Sequence, residues 1–412
     1  MIASFRKGCC LLLLTGWLLL SGPGTTDLAF AKDDITLGGH LKSLDLLVRD
    51  PATPDQKSGE ISSNRLRLDA SGPLFRWGSW DVALEQLVLY TDPAQLTSLP
   101  GDSVNRRIDL EKNWNQDHRW SGRLEVDRCN LTVERPWGDI SVGRQAIGFG
   151  RITLSSPLDI IAPFPPDALD TEVRPGVDAL RVSRYGERVG QVQGIVVLGS
   201  DSSHNSYLAT LVQSLTGVDL LALGGQLRDR PMLGGGVAGS VGGMGLRGEL
   251  AWYKGTRVGK ADGDLHDDFI MAGVEADYRF DIDLSLTVEY LYNGIGTSRA
   301  ENYPSVWQSA PYQEGLGFLG GRNYLLTAAS HQFHPLVEGS LLGIWNLQDD
   351  SFLLRPLVDL SLADNCVLQA FWTILAGRSP QSVQVRPVTT TIPQSEFGSV
   401  AESGGIFLKY FF

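Results

Sequence analysis

The densest run of unusual side chains lies between residues 141 and 185. Arg144, Arg151, Asp159, Asp170, Arg174, Asp178 and Arg181 fall there, among Pro157, Pro163, Pro165, Pro166 and Pro175. Guanidinium and carboxylate groups interspersed on a stiff, proline-rich segment suit one kind of chemistry: a charged constriction that sorts polar solutes by contact. The same groups have a plainer reading, as salt bridges that tie the segment to a wall. Compact motifs for bond making are absent. There is no G-x-S-x-G, since Ala238 precedes Gly239-Ser240-Val241-Gly242, and no Walker A or H-E-x-x-H. No Cys/His cluster has zinc spacing. Asp262, Asp264, Asp267 and Asp268 lack the Gly and Glu of a calcium loop and read as a solvated acidic stretch. The glycines of 234–245 sit in no nucleotide motif, and read as close backbone approach or a bend. No cofactor is implied and the reading is non-enzymatic. A Ser–His pair on an outer wall is the form a hydrolase would take.

What positions the charged segment is a set of strands. Leu158, Ile160, Ile161 and Phe164 would not choose open water, so the segment must pack on a wall. Period two recurs along the chain. Ile270, Ala272, Val274, Ala276 and Tyr278 alternate with Glu275, Asp277 and Arg279; Leu284, Leu286, Val288, Tyr290 and Tyr292 alternate with Thr287 and Glu289. Leu246 and Leu250 face Arg247 and Glu249, and Leu66 and Leu68 face Arg65 and Arg67. The pattern predicts about 16–18 antiparallel strands, 18 favoured, from 35–47 to 403–412. One face of each strand is apolar and the other polar. The polar set comprises His40, Lys42, Arg65, Arg67, Glu85, Arg123, Glu125, Arg247, Glu249, Glu275, Asp277, Arg279, Glu289 and Lys409. Both signs occur, so no ion preference is read from them. Apolar parity flips between Val126 and Cys129, which predicts a β-bulge near Asp127–Arg128. Arg144 shares parity with Ile140 and Val142, so it must lie near a rim or beyond a bulge.

Connections alternate between tight turns and long loops, the long ones including 92–118, 148–176, 255–267, 294–321 and 377–402. That alternation, with two-faced strands, predicts an all-β fold: a single transmembrane antiparallel β-barrel spanning 32–412, with long outer loops. His331 and His334 would then flank an inner-side turn, and Trp252, Tyr253, Tyr290 and Tyr292 would belong to an interfacial girdle. Arg6 and Lys7 precede an apolar run from Gly8 to Leu20, and Ala29-Phe30-Ala31 offers a cleavage pattern, so 1–31 read as a signal peptide. Cys9 and Cys10 leave with it. Cys129 and Cys366 remain, with nothing local to pair them. At the other end Ile406, Leu408, Tyr410 and Phe412 alternate up to the last residue. The net charge is −12, with 35 Lys+Arg against 47 Asp+Glu and no basic run, which sets nucleic-acid binding aside.

The string Gly143-Arg144-Gln145, then Gly148-Phe149-Gly150, Pro157-Leu158-Asp159 and Arg174-Pro175-Gly176-Val177-Asp178-Ala179-Leu180-Arg181 resembles a block in outer-membrane porins of the alginate-export-like kind. Phe149 stands where Trp is usual and Ser156 where Asn is usual. The resemblance implies a barrel with a porin-like role and leaves the solute open. The alternating last strand ending in Phe412 resembles the sorting strand that the barrel-assembly machinery reads. The expectations are a Gram-negative outer-membrane location after Sec-type export, contact with outer-membrane lipid and lipopolysaccharide, and possible homo-oligomers. The expected role is passive diffusion of small hydrophilic solutes or oligosaccharides past an in-folded loop 148–176. A plugged barrel that binds a polymer or partner through its outer loops is the alternative.

Overall fold

The computed structural model describes residues 35–49, 58–74, 77–92, 103–116, 118–186, 190–260, 263–385 and 388–412, with no account of the side chains of 382–391. The signal-peptide reading of 1–31, Asp262 and parts of the loops at 92–118 and 377–402 lie outside these residues.

Twenty-one strands follow in chain order: β1 (Thr36–Arg49), β2 (Gly59–Pro73), β3 (Gly78–Asp92), β4 (Glu111–Trp114), β5 (Trp120–Arg135), β6 (Gly138–Gln145), β7 (Val177–Tyr185), β8 (Gln191–Val197), β9 (Ser206–Leu215), β10 (Val218–Leu227), β11 (Arg230–Val241), β12 (Met244–Lys254), β13 (Asp268–Arg279), β14 (Leu284–Asn293), β15 (Asn323–His334), β16 (Val337–Asn346), β17 (Ser351–Ala363), β18 (Cys366–Ala376), β19 (Gln381–Val385), β20 (Val388–Ile392) and β21 (Glu402–Phe411). All but β19 and β20 join one 19-stranded sheet, and β19–β20 form a separate hairpin within the last long connection. Eighteen strands of the large sheet form a ring that closes where β21 pairs antiparallel with β1, Lys42 opposite Lys409. Closure leaves no unpaired edge, which is what a sheet in hydrocarbon requires. The nineteenth, β4, lies on β5 beyond the point where the short β6 stops, Glu111 opposite Glu125. It patches the wall there.

The outward face is apolar. Leu68, Leu84, Leu131, Val142, Leu233 and Val274 are all exposed on it, a surface suited to acyl chains. Trp120, Tyr290, Trp345 and Trp372 ring it near the loop end, and Trp77, Trp137, Tyr278 and Phe412 near the turn end. Tyr253 departs from the girdle expected of it. It is fully buried, points inward and stacks on Phe269 at 4.9 Å between ring centroids. Cys129 and Cys366 are both free. His331 and His334 lie at the end of β15, beside the turn to β16.

The bulge falls at Asp127. Ala83 pairs with Arg128 and Leu84 with Val126, so Asp127 is the extra residue. It thereby turns into the lumen together with Arg128, and its carboxylate takes Arg67 at 2.6 Å, Arg106 at 3.0 Å and Arg128 at 2.8 Å.

The outer loops are stapled from below. At the top of β11, Arg230 is completely buried and pairs with Asp264 at 2.7 Å and Glu314 at 2.6 Å, one from each of two loops. Asp264 is therefore an ion-pair partner and not a solvated acid. Among the described acids of that stretch, Asp267 and Asp268 are the exposed ones. Truncation by Arg230→Met would leave the buried Asp264 without its cation and Glu314 with only Arg228, at 3.6 Å. It should destabilise the barrel by about 3–5 kcal/mol, read as a lower midpoint in urea unfolding followed by tryptophan fluorescence. An unchanged midpoint would mean the triad contributes nothing net.

Candidate functional site: the in-folded loop and the lumen wall

Residues 146–176 connect β6 to β7 and turn into the barrel. Their apolar residues make the fold's main buried cluster: Leu158, Ile160 and Ile161 are at most 1% exposed, packed with Ile195, Leu208, Leu221, Met232 and Met271 from the wall. The wall is shaped to receive them. A Cβ on Gly234 would stand 2.5 Å from Leu158 Cδ2, and one on Gly273 would stand 2.8 Å from Ile152 Cδ1. These glycines mark close approach, the reading given to the 234–245 stretch.

Polar groups then fix the loop to one side of the lumen. Glu249, Glu275 and Glu289 come from the adjacent strands β12, β13 and β14, all 4% exposed or less. Their carboxylates accept from the loop's backbone. Ile152 N–H donates to Glu249 at 3.0 Å and Leu158 N–H at 3.2 Å. Thr153 N–H and Oγ1–H donate to Glu275 at 2.8 and 3.0 Å, and Ser155 N–H to Glu289 at 3.0 Å. Arg151 N–H and Ser156 Oγ–H also donate to Glu249. A carboxylate accepting several N–H groups makes charge-assisted bonds, the stronger kind. Among the described residues Arg247 is the cation paired with this belt, through Glu275 at 2.6 Å and Asp277.

The returning half of the loop crosses to the opposite wall. Asp170 takes Lys42 of β1 at 2.9 Å. Glu172 takes Lys42 at 2.7 Å and Lys409 of β21 at 2.9 Å. Arg355 of β17 donates to the Asp167 carbonyl. Within the loop Arg174 binds Asp159 at 2.7 Å and lies over the Phe164 ring at 5.2 Å. The chain leaves past Asp127, which accepts the Gly176 N–H at 2.9 Å.

The other lumen charges expected from parity are mostly in pairs. Arg65 meets Glu85 at 2.9 Å, Arg67 meets Asp69 at 2.8 Å, and Arg123 meets Glu111 at 3.3 Å. Glu125 takes Arg106 at 3.1 Å. Arg279 sits at the turn end and pairs with Asp283 at 3.1 Å, both well exposed. His40 is buried with its Nε2 unpartnered.

Arg144 and Asp178 depart from the constriction expected of them. They face each other at 2.8 Å on the parity of the exposed Val142 and Leu180, and segment 105–110 covers them. Arg107 and Ile108 N–H groups both donate to Asp178 at 2.8 Å. The pair seals the wall where β6 stops short, which is the rim position that parity requires of an outward arginine. Arg151 and Arg181 have no side-chain hydrogen bond or ion pair among the described residues.

Two cavities flank the loop. One of about 370 Å³ lies at the loop end and includes Asp159, Phe164, Thr171, Arg174 and Phe318 in its lining. One of about 240 Å³ lies at the turn end and includes Glu172, Glu338, Asp359, Gln369 and Lys409. The successive residues Thr171 and Glu172 thus border one cavity each.

A cluster that period-two reasoning missed lies among the outer loops, one residue on from Leu319 of the first cavity. Glu396, from the last outer loop, accepts Gly320 N–H at 2.6 Å, Asn346 Nδ2–H at 2.7 Å and the Tyr324 hydroxyl. Its own N–H donates to Asp349 at 2.7 Å, and Asp349 also accepts the Tyr303 hydroxyl at 2.7 Å. No cation pairs with either carboxylate among the described residues. Burial pushes Glu396 up to about 6. No motif in the sequence signals Glu396, because its partners lie 47–76 positions away.

No family model matches the chain, and no curated protein is similar to it in sequence. Solved structures are. The barrel is similar to that of Acinetobacter baumannii OccAB4, at 9% identity over 92% of this chain and 98% of that one, with a TM-score of 0.57. It is also similar to Pseudomonas aeruginosa OccD3 (OpdP), at 8% identity over 91% of each chain, with a TM-score of 0.51. At such identities the likeness is one of fold: the described residues form a closed, 18-stranded antiparallel β-barrel.

Proposed function

We propose that the chain is a passive outer-membrane channel for small hydrophilic solutes, its bore narrowed by loop 146–176. The observation that carries this reading is the loop's double attachment. It bonds to the glutamates of β12–β14 on one side and to Lys42 and Lys409 on the other, with a cavity at each end. A solute would pass from one cavity to the other beside Thr171 and Glu172. Asp159 and Arg174 border the entrance, with Arg151 on the same loop and Arg181 on the wall below. The step is diffusion down a gradient, with no bond made or broken and no cofactor. The resemblance of 141–185 to alginate-export-like porins supports the same role.

The apolar outward band fits outer-membrane acyl chains, with lipopolysaccharide against the outer leaflet side. Ile406, Leu408, Tyr410 and Phe412 of the last strand supply the alternating signal for the assembly machinery, after export directed by residues 1–31. Homo-oligomers are compatible with such a surface.

Planar-bilayer recording of the refolded barrel tests the channel. Stable single-channel steps are the expected result. A heat-modifiable, folded barrel without steps would overturn it in favour of a plugged binding barrel. A second test addresses the attachment. The double variant Glu249→Gln, Glu275→Gln keeps the side-chain volumes and replaces charge-assisted acceptors with neutral ones, losing about 1–2 kcal/mol of loop anchorage. Current through it should flicker between levels where the parent is steady. A record as quiet as the parent's would show that the two charges do not hold the loop.

A further inference from the structure

We propose that the loop-end cavity is a binding site for a neutral saccharide ring. The proposal rests on the channel reading for its biological sense, and on the cavity alone for its chemistry. At about 370 Å³ the cavity falls in the range of small-molecule sites, ~300–1,000 Å³.

Its charged lining consists of Asp159 and Arg174, and these touch at 2.7 Å. A lone anion meets a guanidinium already neutralised, and a lone cation meets a carboxylate already neutralised. A net charge therefore gains little here over water. The pair still has unused capacity. Arg174 commits Nη1 to Asp159 and to the Ala162 carbonyl at 2.6 Å, and its Nε and Nη2 have no hydrogen-bond partner among the described residues. A carboxylate has sites for about four hydrogen bonds. Donor and acceptor edges thus lie side by side, the arrangement that two vicinal hydroxyls satisfy together. The Ser155 and Thr171 hydroxyls line the same space and make no side-chain hydrogen bond among the described residues.

Much of the remaining lining is apolar, and it includes two aromatic rings. Phe164 is held under Arg174, and Phe318 comes from the loop above. The negative face of an aromatic ring attracts the positive edge of C–H bonds. A pyranose carries both surfaces, a face of C–H groups and a rim of hydroxyls. Small charged metabolites lack the first, and aliphatic chains lack the second.

The test uses the whole refolded barrel with maltose as probe, and glycerol, gluconate and glucosamine as controls. Maltose should reduce ion current saturably when added on the loop side, and the three controls should not. Phe318→Leu keeps an apolar side chain but removes the ring face. It should weaken the block about threefold to tenfold, the worth of one aromatic contact of ~0.5–1.5 kcal/mol. Arg174→Lys breaks the fork and should weaken the block as well. Block by gluconate or glucosamine in place of maltose would overturn the proposal, as would no block by maltose at any concentration up to its solubility. If the barrel passes no current, the channel reading fails on its own. Maltose binding measured by calorimetry on the folded barrel then decides the site, binding supporting it and none overturning it.

Discussion

A barrel lacking residues 152–172 should pass severalfold more current per channel than the parent. The deletion removes Thr171 and Glu172, the residues between the two cavities, together with the segment bonded to Glu249, Glu275 and Glu289. The ring itself does not depend on that segment for a single ladder bond, since every wall strand pairs with its neighbours and β21 with β1. The exposed carboxylates and lysines would turn to water, where charges carry little penalty. The variant should therefore fold and remain heat-modifiable. Single-channel conductance at fixed salt is the measurement. An unchanged value in a folded deletion would mean the loop does not narrow the bore.

The buried loop cluster around Glu396 should loosen as pH rises. Glu396 in the closed cluster titrates at about 6, against 4.5 for an ordinary glutamate. Burial raises it, and the bonds from Gly320, Tyr324 and Asn346 offset that only in part. The groups facing it are Asp349 beside its backbone and the hydroxyls of Tyr303, Tyr312 and Tyr324, with no cation among the described residues to hold the ion in place. The closed cluster prefers the protonated acid. Its stability is therefore full below the ordinary value, declines between pH 4.5 and about 6, and stays low above. The difference corresponds to about 2 kcal/mol, or roughly 30-fold in the closing equilibrium. Amide protection factors at Gly320 and Glu396, corrected for intrinsic exchange, should fall by that order between pH 4 and 7.5. Glu396→Gln should flatten the profile and keep high protection throughout. A parent whose protection does not change over this range would sink the idea.

The wall was far more legible in the sequence than the contents of the lumen. Strand existence follows from period two, which acts residue by residue, so the 18 wall strands appear at the expected places. The bulge at Asp127 was visible as a parity flip because an inserted residue shifts every later side chain. β4 and the β19–β20 hairpin were hidden in loops, being strands of only four or five residues, too short for a period to show. The inward placement of Glu249, Glu275 and Glu289 could be read, but not their task. Their partners lie 91–134 residues away, and the partner atoms are mostly backbone N–H groups that every sequence carries. Arg144 misled for the opposite reason. Its neighbours along the chain point to a constriction while its parity points to the rim, where it lies; what covers it there is segment 105–110, which no periodicity connects to it. Glu396 and Asp349 gave no signal, since a buried acid in a loop looks like a solvated one until its surroundings are known.

The glutamate belt has a consequence for how this architecture can change. It grips the crossing segment mainly by its main chain, through the N–H groups of Arg151, Ile152, Thr153, Ser155 and Leu158. A mount of that kind specifies where the chain runs and is nearly indifferent to what it wears. Side chains that look into the passage can be exchanged while the path stays put, so filter and frame are separable parts. The same wall can be refitted for a different cargo by rewriting a handful of codons, without re-solving the problem of folding a barrel.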